Sequence, residues 1–324
     1  MSTKLRIAVG QMCSSSNVRM NSRVVCKLID RAVERKAKVL FLPEASDYIS
    51  RDAAHSVSLA KQTKADFINI IQKKLQSVLS KQSLGALCVA VGVHEPTKGV
   101  NKDTKVQNNQ LWISELGVIE QRYQKIHLFD INIPNGPIFQ ESRSVEAGNK
   151  ILCPFPISDN APGFKVGFSI CYDIRFPELA ARLRQMGANI LTYPSAFTTK
   201  TGEAHWLELG RARAIDSQCY VVMAAQCGEH DIYADILEGK EKLDNNPQGN
   251  RTKRVSYGQS VIFGPWGDIL AKGPTYLEAE CSDAVDAEGD YYEIFDAEIN
   301  LENLEKIRTN LPVFSHRRPD VYSS

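Results

Sequence analysis

The sequence lacks the features that mark membrane and nucleic-acid-binding proteins. No apolar run approaches the ~18 residues that a membrane-spanning helix needs, and the N-terminal segment MSTKLRIAVGQM has no apolar core of the kind found in signal peptides. There is also no excess of one charge, because 39 Lys and Arg face 38 Asp and Glu for a net charge of +1. We therefore expect neither a nucleic-acid partner nor a membrane partner.

Paired metal-binding cysteines are also missing. The chain has eight cysteines and no CxxC motif, and such pairs are typical of zinc and thioredoxin-like sites. We therefore expect no metal site. Several cysteines lie within apolar runs, such as Cys26 in RVVCKLI and Cys88 in ALCVAVG. Because free buried thiols suit a reducing compartment, we expect a cytoplasmic protein, with a mitochondrial fraction as a second option.

Alternating strand and helix patterns indicate the fold class. The 324 residues, 43% hydrophobic and 24% charged, fit one large or two ordinary globular domains. LRIAVGQM has the period of a strand, and Asn21 or Ser22 is a candidate cap for the helix that follows. A second helix is expected at about 65–80, a hairpin around Gly117, and an exposed loop at about 236–254. From about 301 to 324 we expect a short helix and an extended tail. This order predicts a layered α/β protein.

Three reactive side chains follow apolar strand patterns. Glu44 ends KVLFLPE, Lys125 ends a strand before IHL, and Cys171 directly follows VGFSI. Side chains at the carboxyl ends of strands project toward the crevice where α/β proteins bind ligands. The spacing favours a cysteine nucleophile, a general base whose pKa is raised by partial burial, and a cation for an oxyanion.

Other interpretations of these residues remain open on spacing alone. Cys171 could be a small buried thiol, Glu44 a carboxylate that caps a loop, and Lys125 a solvated strand-end cation. A Cys–His pair built with His127 or His205 is a rival nucleophilic arrangement, although His205 beside Trp206 suits a helix start or a packing contact.

Taken together, the segments FLPEAS, YQKIHL and GFSICYDIRFPELA resemble the carbon–nitrogen hydrolase, or nitrilase, superfamily. Their order matches the Glu, Lys, Cys order of that family's catalytic triad. The similarity runs from RIAVGQM to LPVFSHRRPDVY and implies a single domain over residues 1–324. EASDYISRD, PSAFTTKTGEAHW and RARAIDSQCYVVMAAQCGEH resemble the Nit branch, and within it the deaminated glutathione amidases. The resemblance implies a four-layer α-β-β-α sandwich, a homodimer or larger assembly, and Glu141 as a fourth active-site acid.

The implied reaction is hydrolysis of deaminated glutathione to 2-oxoglutarate and Cys-Gly through a cysteine thioester, as metabolite repair. It needs no metal or organic cofactor. The Tyr172 N–H would join Lys125 at the oxyanion, and Arg175 would bind the substrate carboxylate unless it pairs with Asp173 or Glu178. The remaining expected pocket residues are Phe197, Thr198, Thr199 and Tyr48. The alternatives are an ω-amidase acting on 2-oxoglutaramate or 2-oxosuccinamate, another small-amide or nitrile hydrolase, and a catalytically silent scaffold.

Overall fold

The computed structural model describes residues 3–80, 86–101, 103–132, 138–158, 161, 163–236, 253–280 and 285–322. The strands are β1 Lys4–Met12, β2 Val39–Phe41, β3 Cys88–Pro96, β4 Val106–Ile113, β5 Ile119–Gln124, β6 Asp130–Asn132, β7 Ile138–Gln140, β8 Val145–Glu146, β9 Phe155–Pro156, β10 Lys165–Phe168, β11 Ile190–Thr192, β12 Tyr220–Met223, β13 Cys227–Glu229, β14 Val255–Tyr257, β15 Val261–Phe263, β16 Ile269–Lys272 and β17 Tyr292–Asn300. The α-helices are α1 Val18–Glu34, α2 Ala53–Thr63, α3 Asn69–Ser80, α4 Pro177–Gln185, α5 Thr199–Ser217, α6 Tyr276–Glu280, α7 Leu301–Asn310 and α8 Pro319–Tyr322.

Two sheets form the centre of the molecule. The first has the order β17-β1-β2-β3-β4-β5, with β8 beside β4, and the second has the order β16-β15-β12-β11-β10-β9. Strands β1, β2 and β3 run parallel, as do β10, β11 and β12. Each sheet therefore gathers the carboxyl ends of several parallel strands at one edge, where side chains can converge.

Alternation along the strands creates four layers. On β1, Ile7 and Val9 face the second sheet, where they join a buried cluster with Val166 of β10, while Ala8 faces the helices α1–α3. The outer face of the second sheet packs against α4 and α5 through residues such as Leu183. This period-two switch of side-chain direction produces an α-β-β-α sandwich and confirms the expected fold class.

The local elements agree with the sequence pattern in part. The first strand and the Gly117 hairpin are present, and Gly117 has a φ of +74° in the turn. The cap of α1 is Asn17, whose side chain accepts from the Met20 N–H, so the expectation of Asn21 or Ser22 was wrong. Both of those residues are buried inside the first turns of the helix.

The segment predicted as one helix at 65–80 is the last part of a longer helical run. Helix α2 precedes it, a π-helical turn covers Lys64–Ile68, and α3 follows. The buried face of α2 includes Ser56 and Thr63, so its apolar periodicity is too weak to be read from the sequence. At the C-terminal end, α7 is the expected short helix, while α8 lies where an extended tail was expected. Within the described ranges, no helix combines the length and apolarity needed to cross a membrane.

Candidate active site

Glu44 lies just beyond the carboxyl end of β2 and is buried, with 6% of its surface exposed. Its Oε1 accepts hydrogen bonds from Lys125 Nζ at 2.9 Å and from Asn108 Nδ2 at 2.7 Å. Its Oε2 accepts from the Ala196 N–H at 3.0 Å. Gly92 of β3 lies against the backbone of Glu44, and a Cβ at this position would be only 2.6 Å from Glu44 Cα. Only glycine therefore allows this close approach of β3 to Glu44. The carboxylate is thus held in one orientation by donors from both sheets.

Lys125 follows β5 and is buried between two carboxylates, with 2% of its surface exposed. Besides Glu44, its Nζ donates to Glu141 Oε1 at 2.9 Å and Oε2 at 3.0 Å. Glu141 opens a short 3-10 turn, and its Oε2 also accepts from the Phe129 N–H at 2.7 Å. Glu141 therefore contacts the lysine and fixes the direction of its ammonium, in the place that the resemblance implied.

Cys171 follows β10 and begins the 3-10 turn Cys171–Arg175. Its φ of +47° lies in the left-handed region, which costs a non-glycine residue roughly 1–2 kcal/mol. The Cys171 N–H donates to Pro194 O at 2.9 Å, and the Asp173 carboxylate accepts from the Ile170 N–H at 2.8 Å and the Tyr123 hydroxyl at 2.7 Å. These bonds hold the strained turn, and the thiol interacts with the Glu44 carboxylate.

Glu44, Lys125 and Cys171 shift one another's pKa values and so determine the charges in the site. Burial alone would raise the pKa of Glu44, but the Lys125 ammonium and the hydrogen bonds from Cys171, Lys125 and Asn108 together lower it. The expected upward shift was therefore wrong. Burial and the Glu44 charge raise the pKa of Cys171 well above its usual value. The pKa of Lys125 is also raised, since the two carboxylates outweigh its burial. At neutral pH the site holds a thiol, a carboxylate and an ammonium.

A cavity of about 830 Å³ opens onto this cluster. Its lining combines residues from several elements: Glu44, Ile49, Arg51, Lys125, Phe129, Phe139, Gln140, Glu141, Ser144, Cys171, Tyr172, Arg175, Ala196, Phe197, Thr198, Thr199, Thr201, His230, Ile232, Lys253, Arg254, Val255 and Ser256. The volume suits a ligand the size of a small peptide. The structure thus brings together the four predicted catalytic residues at one ligand-sized cavity.

Five of the six expected substrate-binding residues line this cavity, namely Tyr172, Arg175, Phe197, Thr198 and Thr199. Tyr48 does not. Its ring is fully buried, stacks on His94 at 4.6 Å between ring centres, and its hydroxyl donates to Ser56 O at 2.9 Å. The expectation that Tyr48 reaches the pocket is corrected for this reason. Tyr48 instead anchors the segment after Glu44 to α2.

Arg175 is not held by the carboxylates named as its possible partners. Its guanidinium lies 3.3 Å from His205 Nδ1 and near the rings of Tyr172 and Phe197. Asp173 instead bonds inward, to the turn and to His127. The Arg175 guanidinium therefore faces the cavity without a carboxylate partner among the described residues.

The two rival histidines are engaged elsewhere. His127 Nδ1 lies 2.7 Å from Asp173 Oδ1, and its ring stacks on Phe176 at 3.6 Å between ring centres. His205 contacts Arg175. His230 lines the cavity, but its ring bonds to Ser14 O and Ser256 Oγ. In the described part of the chain, no histidine is bonded to Cys171.

The groups at the site that were missed from the sequence include the Asn108 amide, the Ala196 N–H and Arg254. Asn108 belongs to VQNNQLWI, where four consecutive amide side chains in a strand are unusual and could have signalled a polar role. The other two had no such signal. Residues 237–252 of the predicted exposed loop lie outside the described ranges, but Lys253 and Arg254 at its end line the cavity.

Among the described residues, the clustered carboxylates that could ligate a metal are bound to lysines. Asp286, Glu288 and Asp290 bring their carboxylates together, yet Lys27 Nζ donates to all three. In the cavity, the carboxylates of Glu44 and Glu141 are both committed to Lys125. A metal ion would need carboxylates that are free to bind it. Among the described residues of the cavity, both clustered carboxylates instead bind the Lys125 ammonium.

The fold and the site together define an α-β-β-α sandwich protein with a cysteine, a lysine and two glutamates at the seam of its two sheets. The family model for carbon–nitrogen hydrolases matches residues 6–308, and the chain belongs to this family. It is 39% identical over 316 residues to "Probable hydrolase nit2" of Schizosaccharomyces pombe, covering 97% of this chain and 98% of that protein.

Two further matches are a mouse protein and a solved structure from a nematode. The "Deaminated glutathione amidase" of Mus musculus is 36% identical over 318 residues, which cover 98% of this chain and 84% of the mouse protein. The crystal structure of the Caenorhabditis elegans NitFhit protein superposes with a TM-score of 0.78 at 34% identity, covering 98% of this chain and 66% of the NitFhit chain. The resemblance read from the sequence motifs is confirmed.

Proposed function

We propose that this protein is an amidase that hydrolyses deaminated glutathione to 2-oxoglutarate and Cys-Gly through a thioester on Cys171. The observation that carries the proposal is the convergence of the Cys171 thiol, the Lys125 ammonium and the Glu44 carboxylate at a cavity of about 830 Å³. A relative that is 36% identical over nearly the whole chain bears the name of this activity. A small primary amide such as 2-oxoglutaramate, whose hydrolysis releases ammonia, would occupy only a small part of such a cavity.

In the acylation step, Glu44 removes the proton from Cys171 as the sulfur attacks the amide carbonyl carbon. A raised cysteine pKa and a lowered glutamate pKa mean that the resting thiol needs this base at the moment of attack. The C–S bond forms and the carbonyl oxygen becomes an oxyanion. Lys125 Nζ and the Tyr172 N–H, which has no hydrogen-bond partner among the described residues, stabilise that oxyanion.

Collapse of this intermediate releases the amine. The C–N bond breaks, and the protonated Glu44 gives its proton to the departing nitrogen of Cys-Gly. In deacylation, Glu44 takes a proton from a water molecule and the resulting hydroxide attacks the thioester carbon. The C–S bond then breaks, 2-oxoglutarate is released, and the protonated Glu44 returns its proton to the sulfur to restore the thiol. Hydrogen bonds from Asn108 and Ala196 keep the carboxylate in one orientation throughout.

Arg175 binds the carboxylate at the 2-oxoacid end of the substrate. It lies four residues after the nucleophile, lines the cavity and contacts the rings of Tyr172 and Phe197. A guanidinium binds a carboxylate through two parallel hydrogen bonds, which would orient the 2-oxoacid chain. Thr198 and Thr199 offer hydroxyl groups to the same end of the substrate.

The test compares purified protein on deaminated glutathione and on 2-oxoglutaramate. We expect a kcat/KM for release of Cys-Gly at least roughly tenfold above that for release of ammonia, since the dipeptide amide can contact more of the cavity wall than a primary amide can. The reverse ratio would assign the protein to the ω-amidases. Hydrolysis of simple nitriles without amides would contradict both activities, and a folded protein without turnover would support the scaffold alternative.

The cysteines and the family resemblance also bear on the compartment and the oligomeric state of the enzyme. The seven cysteines in the described ranges are all free thiols, which supports a reducing compartment such as the cytoplasm or the mitochondrial matrix. We propose a homodimer or larger assembly, as the family resemblance implies. Light scattering of the purified protein would give the mass, and a monomer at micromolar concentration would contradict the assembly.

A further inference from the structure

Positive charge dominates the wall of the cavity. Five of its residues carry permanent cations: Arg51, Lys125, Arg175, Lys253 and Arg254. Three of these are held by carboxylates: Lys125 by Glu44 and Glu141, Arg51 by Asp235, and Lys253 by Glu229. Within the described ranges, Arg175 and Arg254 have no carboxylate at ion-pair distance. His230 adds no charge, since burial lowers its pKa to about 4. The cavity therefore presents two guanidinium groups, Arg175 and Arg254, whose charge no carboxylate of the described residues balances at ion-pair distance.

Arg254 is positioned by the ribbon of β13 and β14. Its carbonyl accepts from the His230 N–H at 2.9 Å, which extends the antiparallel ladder by one residue pair. Because side chains alternate along a strand, Arg254 and Ser256 project from the same face, and both line the cavity. Arg254 Nη1 donates to Ser50 O at 2.7 Å, which anchors the guanidinium at the rim and leaves its other N–H groups available.

The ribbon also connects Arg254 to the catalytic cluster. Ser256 forms an isolated antiparallel bridge with Thr198, and Thr198 lies two residues after Ala196, whose N–H donates to Glu44. Arg254 lies two strand residues from Ser256, a distance of about 7 Å along the strand. An extended dipeptide also covers about 7 Å, so it can span the stretch from the Thr198–Ser256 bridge to the backbone of Arg254. A leaving group that departs from Glu44 along this wall would bring its far end toward Arg254.

We infer that Arg254 binds the terminal carboxylate of the leaving group, so that the cavity selects amides with an acid at both ends. This inference rests on the proposed function and names a specificity residue for it. Arg175 takes the carboxylate of the acyl part, and Arg254 takes the carboxylate of the glycine in Cys-Gly. Two guanidinium groups that have no carboxylate partner among the described residues match two carboxylates on one substrate, and charge-assisted pairs of this kind are strong in a partly enclosed site.

The experiment uses a matched pair of substrates: deaminated glutathione and the analogue in which only the glycine carboxylate is replaced by a carboxamide. We expect the wild-type enzyme to prefer the acid by roughly ten- to hundredfold in kcat/KM. In Arg254→Gln this preference falls to near one, through KM for the acid and with kcat nearly unchanged. Arg254→Lys retains part of it. Lys74→Gln, a cation outside the cavity lining that Asp30 already holds, keeps the wild-type preference.

The outcomes separate a binding role from a structural one. If Arg254→Gln lowers kcat/KM equally for both substrates, the residue only supports the Ser50 segment and the inference is wrong. A wild-type enzyme without preference for the acid would also overturn it. Calorimetry with Cys171→Ala provides a readout without turnover. Tighter binding of the acid than of the carboxamide, lost in Cys171→Ala/Arg254→Gln, supports the inference even if hydrolysis of deaminated glutathione fails. Equal binding overturns it.

Discussion

Asn108 Nδ2 donates to Glu44 Oε1 over 2.7 Å, and the same oxygen accepts from Lys125. The other polar atom of that side chain, Asn108 Oδ1, is buried without a hydrogen-bond partner in the described part of the chain. A buried polar atom without a partner costs stability, so the presence of this amide calls for an explanation other than stabilisation of the fold. Its position is explained by the carboxylate that it orients.

This pair leads to the first prediction. Asn108→Leu removes a donor that favours the charged form of Glu44, so the pKa of Glu44 rises. Since the base must be ionised, the acidic limb of the kcat/KM profile moves to higher pH. We expect activity at neutral pH to fall about tenfold and stability to change little, because the unpaired oxygen is removed as well. An unchanged pH profile would show that Asn108 does not act on Glu44.

The nucleophile is tested by Cys171→Ala. We expect turnover to fall by at least roughly a thousandfold, while circular dichroism and oligomeric mass stay as in the wild type. Mass spectrometry of the wild type, quenched during turnover, should show the acyl group on the peptide that contains Cys171. Activity that survives the substitution would move the nucleophile elsewhere, and Cys219 and Cys227 would be tested next. Both of those thiols are buried outside the cavity lining.

Lys125→Met tests the charge balance. It leaves Glu44 and Glu141 facing each other without a cation, and breaking a buried pair in this way costs about 3–5 kcal/mol of the free energy of unfolding at neutral pH. In the wild type, the lowered pKa of Glu44 contributes stability above its unfolded pKa, and this is lost as pH falls through the folded pKa. Without Lys125, burial raises the pKa of Glu44 above its unfolded value instead. We therefore expect urea unfolding to show a larger loss at pH 8 than at pH 5.

The Cys–His alternative is tested by comparing single substitutions. We expect Glu44→Gln to lower kcat at least roughly a thousandfold, since it removes the base, while His205→Ala keeps kcat within about tenfold of the wild type. His127→Ala should act mainly through stability, because His127 bonds to Asp173 and stacks on Phe176. Equal losses in kcat for Glu44→Gln and either histidine variant would favour a cysteine–histidine mechanism.

The sequence predicted the parts of the site that depend on strand ends. Glu44, Lys125 and Cys171 each follow an apolar run, and parallel strands deliver such residues to a common edge. It could not predict the direction of the Glu44 pKa, because that depends on the Lys125 ammonium 81 positions away. Tyr48 was assigned to the pocket because of its closeness to Glu44 along the chain, but its ring turns toward α2.

The remaining errors have the same origin. Helix α2 buries Ser56 and Thr63, and polar residues on a buried face hide helical periodicity. Arg254 lies next to the long polar stretch and has no motif of its own. Its place at the cavity follows from the pairing of β13 with β14, which is a property of the folded chain. Local patterns thus identify the elements, and contacts between elements decide the roles.

Glu44 and Lys125 are attached to the first sheet, whereas Cys171 and Ala196 follow strands of the second. A slight slide of one layer over the other would separate the Cys171 sulfur from the Glu44 carboxylate before any strand is lost. Mild denaturant or pressure should therefore abolish turnover at conditions where the far-ultraviolet circular dichroism spectrum is still intact, which makes enzymatic rate a sensitive gauge of interlayer alignment.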